Sequence, residues 1–339
     1  MVRIITINDI KTILKRKQLK NFFLELIEEL KKDFIRWQDF KKTPRHATHY
    51  KHGVIELMPI SDEFFYSFKY VNGHPFNPWA GKLNVVAVGL LAEVISGYPL
   101  LISEMTLLTA LRTAATSALA ASYLIKPGAR AMAMIGTGSQ SEFQALAHHF
   151  ILGIDQIHYY DIDSAAMDKF AKNLAAYPLQ LIPAQSVAEA INQVDVITTA
   201  TAAKAKVTVL SDLLVHSGVF INAIGGDCPG KTELDPSIFE RSKIVVEDLE
   251  QTRLEGEIQH LQGAQSIYAE LWELVDGRKP GRTHPDEIFI FDSVGFALED
   301  YSILKYIYRL SQEYHLGTIM DLVPVLKDPK NLFSLCYTA

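Results

Sequence analysis

Ile135-Gly136-Thr137-Gly138-Ser139-Gln140-Ser141 is the stretch on which the fold turns. Ala131–Ile135 before it is an uninterrupted apolar run, the signature of a strand buried in a parallel sheet, and residues 139–152 carry helical patterning. Strand, glycine turn and helix in that order form a dinucleotide-binding fingerprint. The first glycine permits a tight turn and the second lets the backbone approach a pyrophosphate, while the helix N-terminus offers unpaired N–H groups to the phosphate charge. Ser141 stands in the third glycine position and is small enough for close helix–strand packing. Asp161 ends the next strand, 25 residues after Gly136. A carboxylate there accepts hydrogen bonds from ribose hydroxyls and repels a 2′-phosphate, which favours NAD over NADP.

Outward from this motif the same rhythm continues. Gln156–Asp161, Asp195–Thr199, Val219–Ile224 and Lys243–Val246 read as short apolar strands, with helical material such as 164–176 between most of them. Strands alternating with helices predict a doubly wound parallel sheet of Rossmann type over residues 116–314. Thr201, just past one strand, reads either as a residue beneath the cofactor or as a simple turn hydroxyl. Upstream the pattern differs. Residues 19–40 predict an amphipathic helix with Phe23, Ile27, Leu30 and Phe34 on one face. Residues 44–102 are short apolar runs punctuated by Gly, Pro and Asn, which predicts an antiparallel sheet. An Ala/Thr-rich helical stretch over 105–125 ends near Pro127-Gly128, and helical patterning over 296–313 leads the chain back. The fold class expected is α/β: a Rossmann domain plus an α+β N-terminal domain of residues 1–115, joined by residues 315–339.

Composition narrows the function. Of 339 residues 48 % are hydrophobic, enough for two cores, and the net charge of −6 gives no footprint for nucleic acid. The longest apolar stretch, 83–102, is broken by Glu93, Ser96, Gly97 and Pro99 and does not read as a membrane span. The N-terminus lacks signal-peptide patterning, and two cysteines give no disulfide framework, so a soluble cytoplasmic protein is expected. His46, His49 and His52 recur every three residues but follow a proline and have no matching acidic or Cys partner at ligand spacing; no metal is expected.

The chemistry points to Gly225-Gly226-Asp227-Cys228-Pro229-Gly230-Lys231-Thr232-Glu233-Leu234, immediately after the strand at Val219–Ile224. A glycine turn that presents one carboxylate beside a nicotinamide suits proton handling coupled to hydride transfer, with Asp227 as the acid–base group. An Asx-type turn is the competing account of Asp227. Cys228 has no adjacent base and reads as packing. Arg45, Lys69 and Arg112 sit where solvated charges are not expected. Cations converging on a pocket suit a substrate carboxylate; surface charge or an internal ion pair is the alternative for each. Glu56, between Ile55 and Leu57, reads as holding a substrate amine or water, or as a salt bridge. Asp292-Ser293-Val294-Gly295-Phe296-Ala297 is a strand end and small-residue turn that closes over the nicotinamide or simply starts a helix.

At these residues the chain resembles the ornithine cyclodeaminase/mu-crystallin family over nearly its whole length, and within it the cyclodeaminase branch. Lys69-Tyr-Val-Asn-Gly-His-Pro75, Ser103-Glu-Met-Thr-Leu-Leu-Thr-Ala-Leu-Arg-Thr-Ala-Ala115, Gly225–Leu234 and Asp292–Ala297 carry the resemblance. It implies conversion of L-ornithine to L-proline and ammonia, with internal hydride transfer to and from a tightly held NAD. Asp227 and Glu56 would be catalytic, and Arg45, Lys69, Arg112 and Val294 would bind substrate. The expected cofactor contacts are Asn84, Arg112, Gly136, Gly138, Ser139, Gln140, Asp161, Thr201, Ile221, Asn222, Ala223, Ile224, Lys231 and Ser293. Asn84 departs from the family, whose members carry Thr there. The resemblance also implies a homodimer built through the N-terminal sheet. The readings weighed beside it are an NAD-dependent amino-acid dehydrogenase, a cyclic ketimine reductase and a crystallin-like NAD(P)H-binding protein.

Overall fold

The structure, a computed structural model, describes residues 1–202, 206–261 and 267–337; the last two residues of the 315–339 segment lie outside it. Eight strands build the first sheet: β1 (Val2–Ile5), β2 (Lys41–Lys42), β3 (His46–Tyr50), β4 (Gly53–Ser61), β5 (Phe65–Gly73), β6 (Val85–Glu93), β7 (Pro99–Glu104) and, from the far end of the chain, β18 (Thr318–Met320). The strand order is β18-β1-β7-β6-β5-β4-β2, with β3 also paired to β4. The antiparallel meander predicted over 44–102 is present, but the sheet is mixed because β1 joins β7 in parallel. Period-two alternation sorts its side chains. Met58, Ser67, Lys69, Val71, Ala87 and Leu91 are buried on one face, together with Glu56. Leu57, Tyr66, Tyr70, Val86 and Val88 are exposed on the other.

The second sheet is the Rossmann-type one. Its strands are β8 (Ala131–Ile135), β9 (Gln156–Tyr160), β10 (Gln180–Pro183), β11 (Val196–Thr199), β13 (Phe220–Ala223), β15 (Ser242–Val246), β16 (Ala269–Glu270) and β17 (Ile288–Asp292). All pair in parallel, in the order β10-β9-β8-β11-β13-β17-β15-β16. The central strands β8, β11, β13 and β17 are buried along their whole length because both faces are covered. Met132, Met134, Phe220, Phe289 and Phe291 belong to one core, and Ala133, Ile135, Ile197, Ile221, Ala223 and Ile290 to the other. A small parallel pair, β12 (Lys206–Leu210) with β14 (Thr232–Leu234), stands apart.

Helices α1 (Ile7–Lys17), α2 (Leu19–Ile35) and α3 (Thr106–Leu124) come first; α4 (Ser141–Leu152), α5 (Ser164–Leu174) and the short α6 (Val187–Ala190) serve the Rossmann sheet. Next are α7 (Leu249–Glu255), α8 (Leu271–Val275) and α9 (Ala297–Glu313). The amphipathic helix expected over 19–40 ends sooner: α2 stops at Ile35 and residues 37–39 form a 3₁₀ turn. Phe34, Trp37 and Phe40 are all buried, and their spacing of three suits the 3₁₀ rise, in which such side chains eclipse. α3 is apolar nearly all round, runs unbroken through residues 115 and 116, and is buried along most of its length. α9 carries the chain back across β4, β5 and β6. Its approach is close enough that a Cβ on Gly89 would meet Leu304 Cδ2 at 2.9 Å.

Leu304 is therefore the plug between α9 and the first sheet. Leu304→Ala is expected to cost about 2–5 kcal/mol, the usual range for a fully buried leucine. A urea midpoint equal to that of the unsubstituted protein would contradict this packing.

Candidate functional site

Chain conformation at the glycine turn is set by contact. Gly136 has φ +93°, and a Cβ there would meet Ala200 O at 2.6 Å. Gly138, by contrast, faces open space. The serine in the third glycine position closes the turn itself, Ser141 Oγ donating to Gly138 O at 2.7 Å. Asp161 sits just beyond β9, where its carboxylate accepts from Thr137 N at 2.6 Å and Thr137 Oγ1 at 3.2 Å. Ser139 is exposed at the rim. Gln140 Oε1 is buried and, among the described residues, has no hydrogen-bond partner. An open rim over Gly138, N-terminal amides of α4, a carboxylate at the strand end and an orphaned amide oxygen together fit a dinucleotide.

A cavity of about 220 Å³ continues from this turn to the first sheet. Arg45, Glu56, Lys69, Asn84 and Arg112 line it from the N-terminal side; Gln140, Ile224, Asp227, Lys231, Ser293 and Val294 line it from the Rossmann side. Cys228 and Gly295 lie in the lining as well, while the other expected cofactor contacts lie outside it. Gly136, Gly138, Ser139 and Asp161 form the glycine turn and its rim. Ile221 and Ala223 point into the core on the far face of β13. Asn222 is fully buried on the near face, its Nδ2 donating to Gln144 Oε1 at 3.1 Å and Thr198 Oγ1 at 3.2 Å.

Each cation in the cavity is held by acids. Lys69 Nζ lies 2.7 Å from Asp300 Oδ2, and Arg112 Nε lies 3.0 Å from Asp300 Oδ1 while its NH1 bonds Glu299. Burial and the neighbouring Arg112 push the Lys69 pKa down to about 8 against the pull of Asp300. Arg45 NH1 lies 3.3 Å from Glu56, and its Nε 3.0 Å from Glu255. Lys231 Nζ lies 3.2 Å from Asp227 Oδ1. Burial opposes the charge on Lys231, but Asp227 and Glu233 outweigh it and hold its pKa above the ordinary value. Losing one partner of a buried pair costs about 3–5 kcal/mol, so the acids on Lys69, Arg112 and Arg45 are part of the site's architecture, whereas Asp227 is half exposed on the cavity's open side.

Behind the cavity a ladder of buried carboxylates holds the loops. Glu233 accepts from Thr201 N at 3.0 Å and from Thr201 Oγ1. Glu257 accepts from Glu233 N at 2.9 Å and Leu234 N at 3.0 Å, and Asp292 accepts from Glu257 N and Ile258 N, both at 2.9 Å. Glu247 receives Ser293 Oγ together with Val294 N and Gly295 N at 3.2 Å. A Cβ on Gly225 would overlap Glu233, and one on Gly226 would meet Glu257 Oε1 at 2.5 Å. The paired glycines ahead of Asp227 are thus required by the acids behind them. Sequence reasoning missed Glu233, Glu247, Glu255, Glu257, Glu299 and Asp300. An acidic pair in the first turn of a helix, such as Glu299-Asp300, ordinarily reads as a dipole partner; only the apolar residues following it in α9 signal its burial. Among the described residues, no group of three or more His, Cys, Asp or Glu is placed to hold a metal ion.

Residues 8–314 match the sequence profile of the ornithine cyclodeaminase/mu-crystallin family. The chain belongs to that family. An ornithine cyclodeaminase of Brucella suis is 49% identical over 335 residues, spanning 99% of this chain and 93% of the relative. A solved lysine cyclodeaminase, studied for its recognition of L-lysine, L-ornithine and L-2,4-diaminobutyric acid, superposes with TM-score 0.91 at 27% identity, covering 98% of this chain and 99% of its own. An archaeal alanine dehydrogenase dimer with bound NAD gives TM-score 0.87 at 29% identity, covering 95% and 99%. The α/β fold with its parallel sheet is common to these family members.

The two glycines of the turn should separate on mutation. Gly138→Ala is expected to fold normally yet bind dinucleotide at least about tenfold more weakly, because its Cβ occupies space left for the phosphates. Gly136→Ala should lower the melting temperature even without nucleotide, through its clash with Ala200. Titration calorimetry and thermal melts check both; equal nucleotide affinity in Gly138→Ala and the parent would remove the pyrophosphate from this turn.

Proposed function

We propose that this protein is an ornithine cyclodeaminase that converts L-ornithine to L-proline and ammonia with NAD used catalytically. The observation that carries the reading is the meeting of Asp227 with Arg45, Lys69 and Arg112 in one cavity that opens from the dinucleotide turn. The near-half identity to ornithine cyclodeaminases over the full chain supports the same conclusion.

NAD would be held at Gly136, Gly138, Ser139, Gln140 and Asp161, with further contacts from Asn84, Arg112, Thr201, the β13 backbone at Ile221–Ile224, Lys231 and Ser293. When bound it would supply an acceptor for the hydride on the substrate's Cα, which leaves an imine there, and a donor of that hydride to the cyclic imine that remains once ammonia has left. Arg45, Lys69 and Arg112 bind the substrate carboxylate, the two guanidinium groups offering a fork that matches it. Val294 packs against the substrate chain and Glu56 orients it. Asp227 Oδ2 takes the proton from the δ-ammonium, leaving a neutral amine free to attack the α-carbon, and then gives a proton to the departing α-amine. Lys231, bonded to Oδ1, fixes the carboxylate while Oδ2 works. Both half-reactions require water to be kept from the reacting carbon, which the cavity would do once substrate and cofactor fill it.

In this reading residues 1–115 with 315–339 form the substrate-binding and dimerisation domain, and 116–314 the nucleotide domain. The exposed sheet face bearing Leu57, Tyr66, Tyr70, Val86 and Val88 supports a homodimer, since clustered exposed apolar side chains mark interaction surfaces. The cytoplasm is the proposed compartment, in keeping with the low cysteine content; among the described residues no helix is long and apolar enough to cross a membrane.

Purified protein given excess L-ornithine and a trace of NAD⁺ should form proline and ammonia far beyond the cofactor, with no lasting NADH absorbance. NADH rising in step with product would make it a dehydrogenase instead. Asp227→Asn should bind NAD normally and lose proline formation by about 100-fold or more; an undiminished rate would remove Asp227 from the chemistry.

A further inference from the structure

Arg45 is the most contested cation in the cavity. All three of its side-chain nitrogens are engaged: NH2 donates to Val294 O at 2.9 Å and Gly295 O at 2.7 Å, NH1 to Glu56, and Nε lies against Glu255 Oε2 at 3.0 Å. Glu255 is the last residue of α7, with a side chain 7% exposed, and the mechanism above gives it no part. A substrate carboxylate arriving at Arg45 would be the third carboxylate on one buried guanidinium. Three negative charges on one positive charge is not a stable arrangement at low dielectric, so one acid must move away or take a proton. Glu56 is tied into β4 and Asp227 to Lys231. The charged groups that face Glu255 are Arg45 and Glu56 from the first sheet and Asp227 from the glycine turn, while Lys69 and Arg112 are held by the acids of α9. Burial pushes the Glu255 carboxyl up to about 7; Arg45 pulls it back, and Glu56 and Asp227 add to the rise.

We propose that Glu255 is a positioning residue that holds Arg45 until substrate arrives, and is then neutralised by a solvent proton so that Arg45 can take the substrate carboxylate. The inference rests on the reading of Arg45 as a substrate-carboxylate ligand. The proton enters with the carboxylate and returns to solvent when it leaves. Below pH 7 Glu255 is already neutral and binding takes up no proton. Above pH 7 each binding event takes up one, so affinity for a carboxylate falls about tenfold per pH unit.

The test uses pentanoate, which has the carboxylate and chain length of ornithine but no amine to titrate, as a competitive inhibitor of the NAD-loaded enzyme between pH 6 and 9. The parent protein should give a constant inhibition constant below pH 7 that rises above it, and Glu255→Gln, a permanent mimic of the protonated state, one that stays flat through pH 7 and rises only as Lys69, held at about 8, loses its own proton. A merely structural role for Glu255 would shift both curves without changing their slope, and parallel curves overturn the proposal. Should Glu255→Gln fail to fold, proton uptake by the parent protein decides: an indicator dye at pH 7.5 should register about three-quarters of a proton or more per site on pentanoate binding, and about a quarter or less, the share Lys69 alone could take up, overturns it. Arg45→Lys separates the two readings. If it leaves pentanoate binding unchanged, the assignment of Arg45 fails and this proposal with it. If it weakens binding while Glu255→Gln keeps the parent slope, this proposal alone falls.

Discussion

Everything in the cavity depends on the clamp that α9 places between the first sheet and α3. Asp300 reaches Lys69 on β5 with one oxygen and Arg112 on α3 with the other, and Glu299 completes the hold on Arg112. All four side chains are buried. Burying ions is expensive and is offset only by close partners and added hydrogen bonds. Once this cost has been met, neither cation can move without leaving the other charges uncompensated. The helix reaches this position because Gly89 lets it lie almost on the backbone of β6. Packing in the first sheet and electrostatics in the cavity are therefore one constraint seen from two sides.

The same logic runs through the Rossmann side in another form. There the carboxylates of Glu233, Glu257 and Asp292 are held chiefly by backbone N–H groups accepted from successive loops, with Lys231 the cation that acts on the first two. Glu257 is pushed up to about 7 by burial against the help of those N–H groups, and Asp292 is raised well above the ordinary carboxylate range by burial and by Glu257. The result is a turn at Gly225–Lys231 backed by acids it cannot move through. A flexible loop would let Asp227 wander by more than the fraction of an ångström that proton transfer tolerates.

Much of this was legible in the chain. The Rossmann sheet followed from apolar runs and one glycine turn, since a strand buried on both faces has little compositional freedom. Lys69 and Arg112 stood out because a charge among small or apolar neighbours is anomalous. Their partners did not, because Glu299 and Asp300 occupy a helix start, where acids are common, and nothing local reports that the helix start is buried. Glu255 was hidden for a similar reason: Glu-Gly after Thr-Arg-Leu looks like an ordinary helix end. The split between Ile221 and Ala223 in the core and Ile224 in the cavity depends on where β13 stops, which periodicity resolves only to a residue or two. The 3₁₀ ending of α2 rests on a three-residue spacing that is easily read as continued helix.

The pairing of β1 with β18 and the placement of α9 have a consequence for how the molecule is made. The first sheet is encoded in the first hundred or so residues, yet its buried face is covered by α9 and its edge strand is β18. On a ribosome, where domains generally fold as units from the N-terminus onward, this order is reversed. Every strand of the Rossmann sheet precedes α9 and can pair as it emerges, whereas the meander must wait with Lys69 and its apolar neighbours uncovered until about residue 320 has been synthesised. The half of the molecule made first is the half finished last.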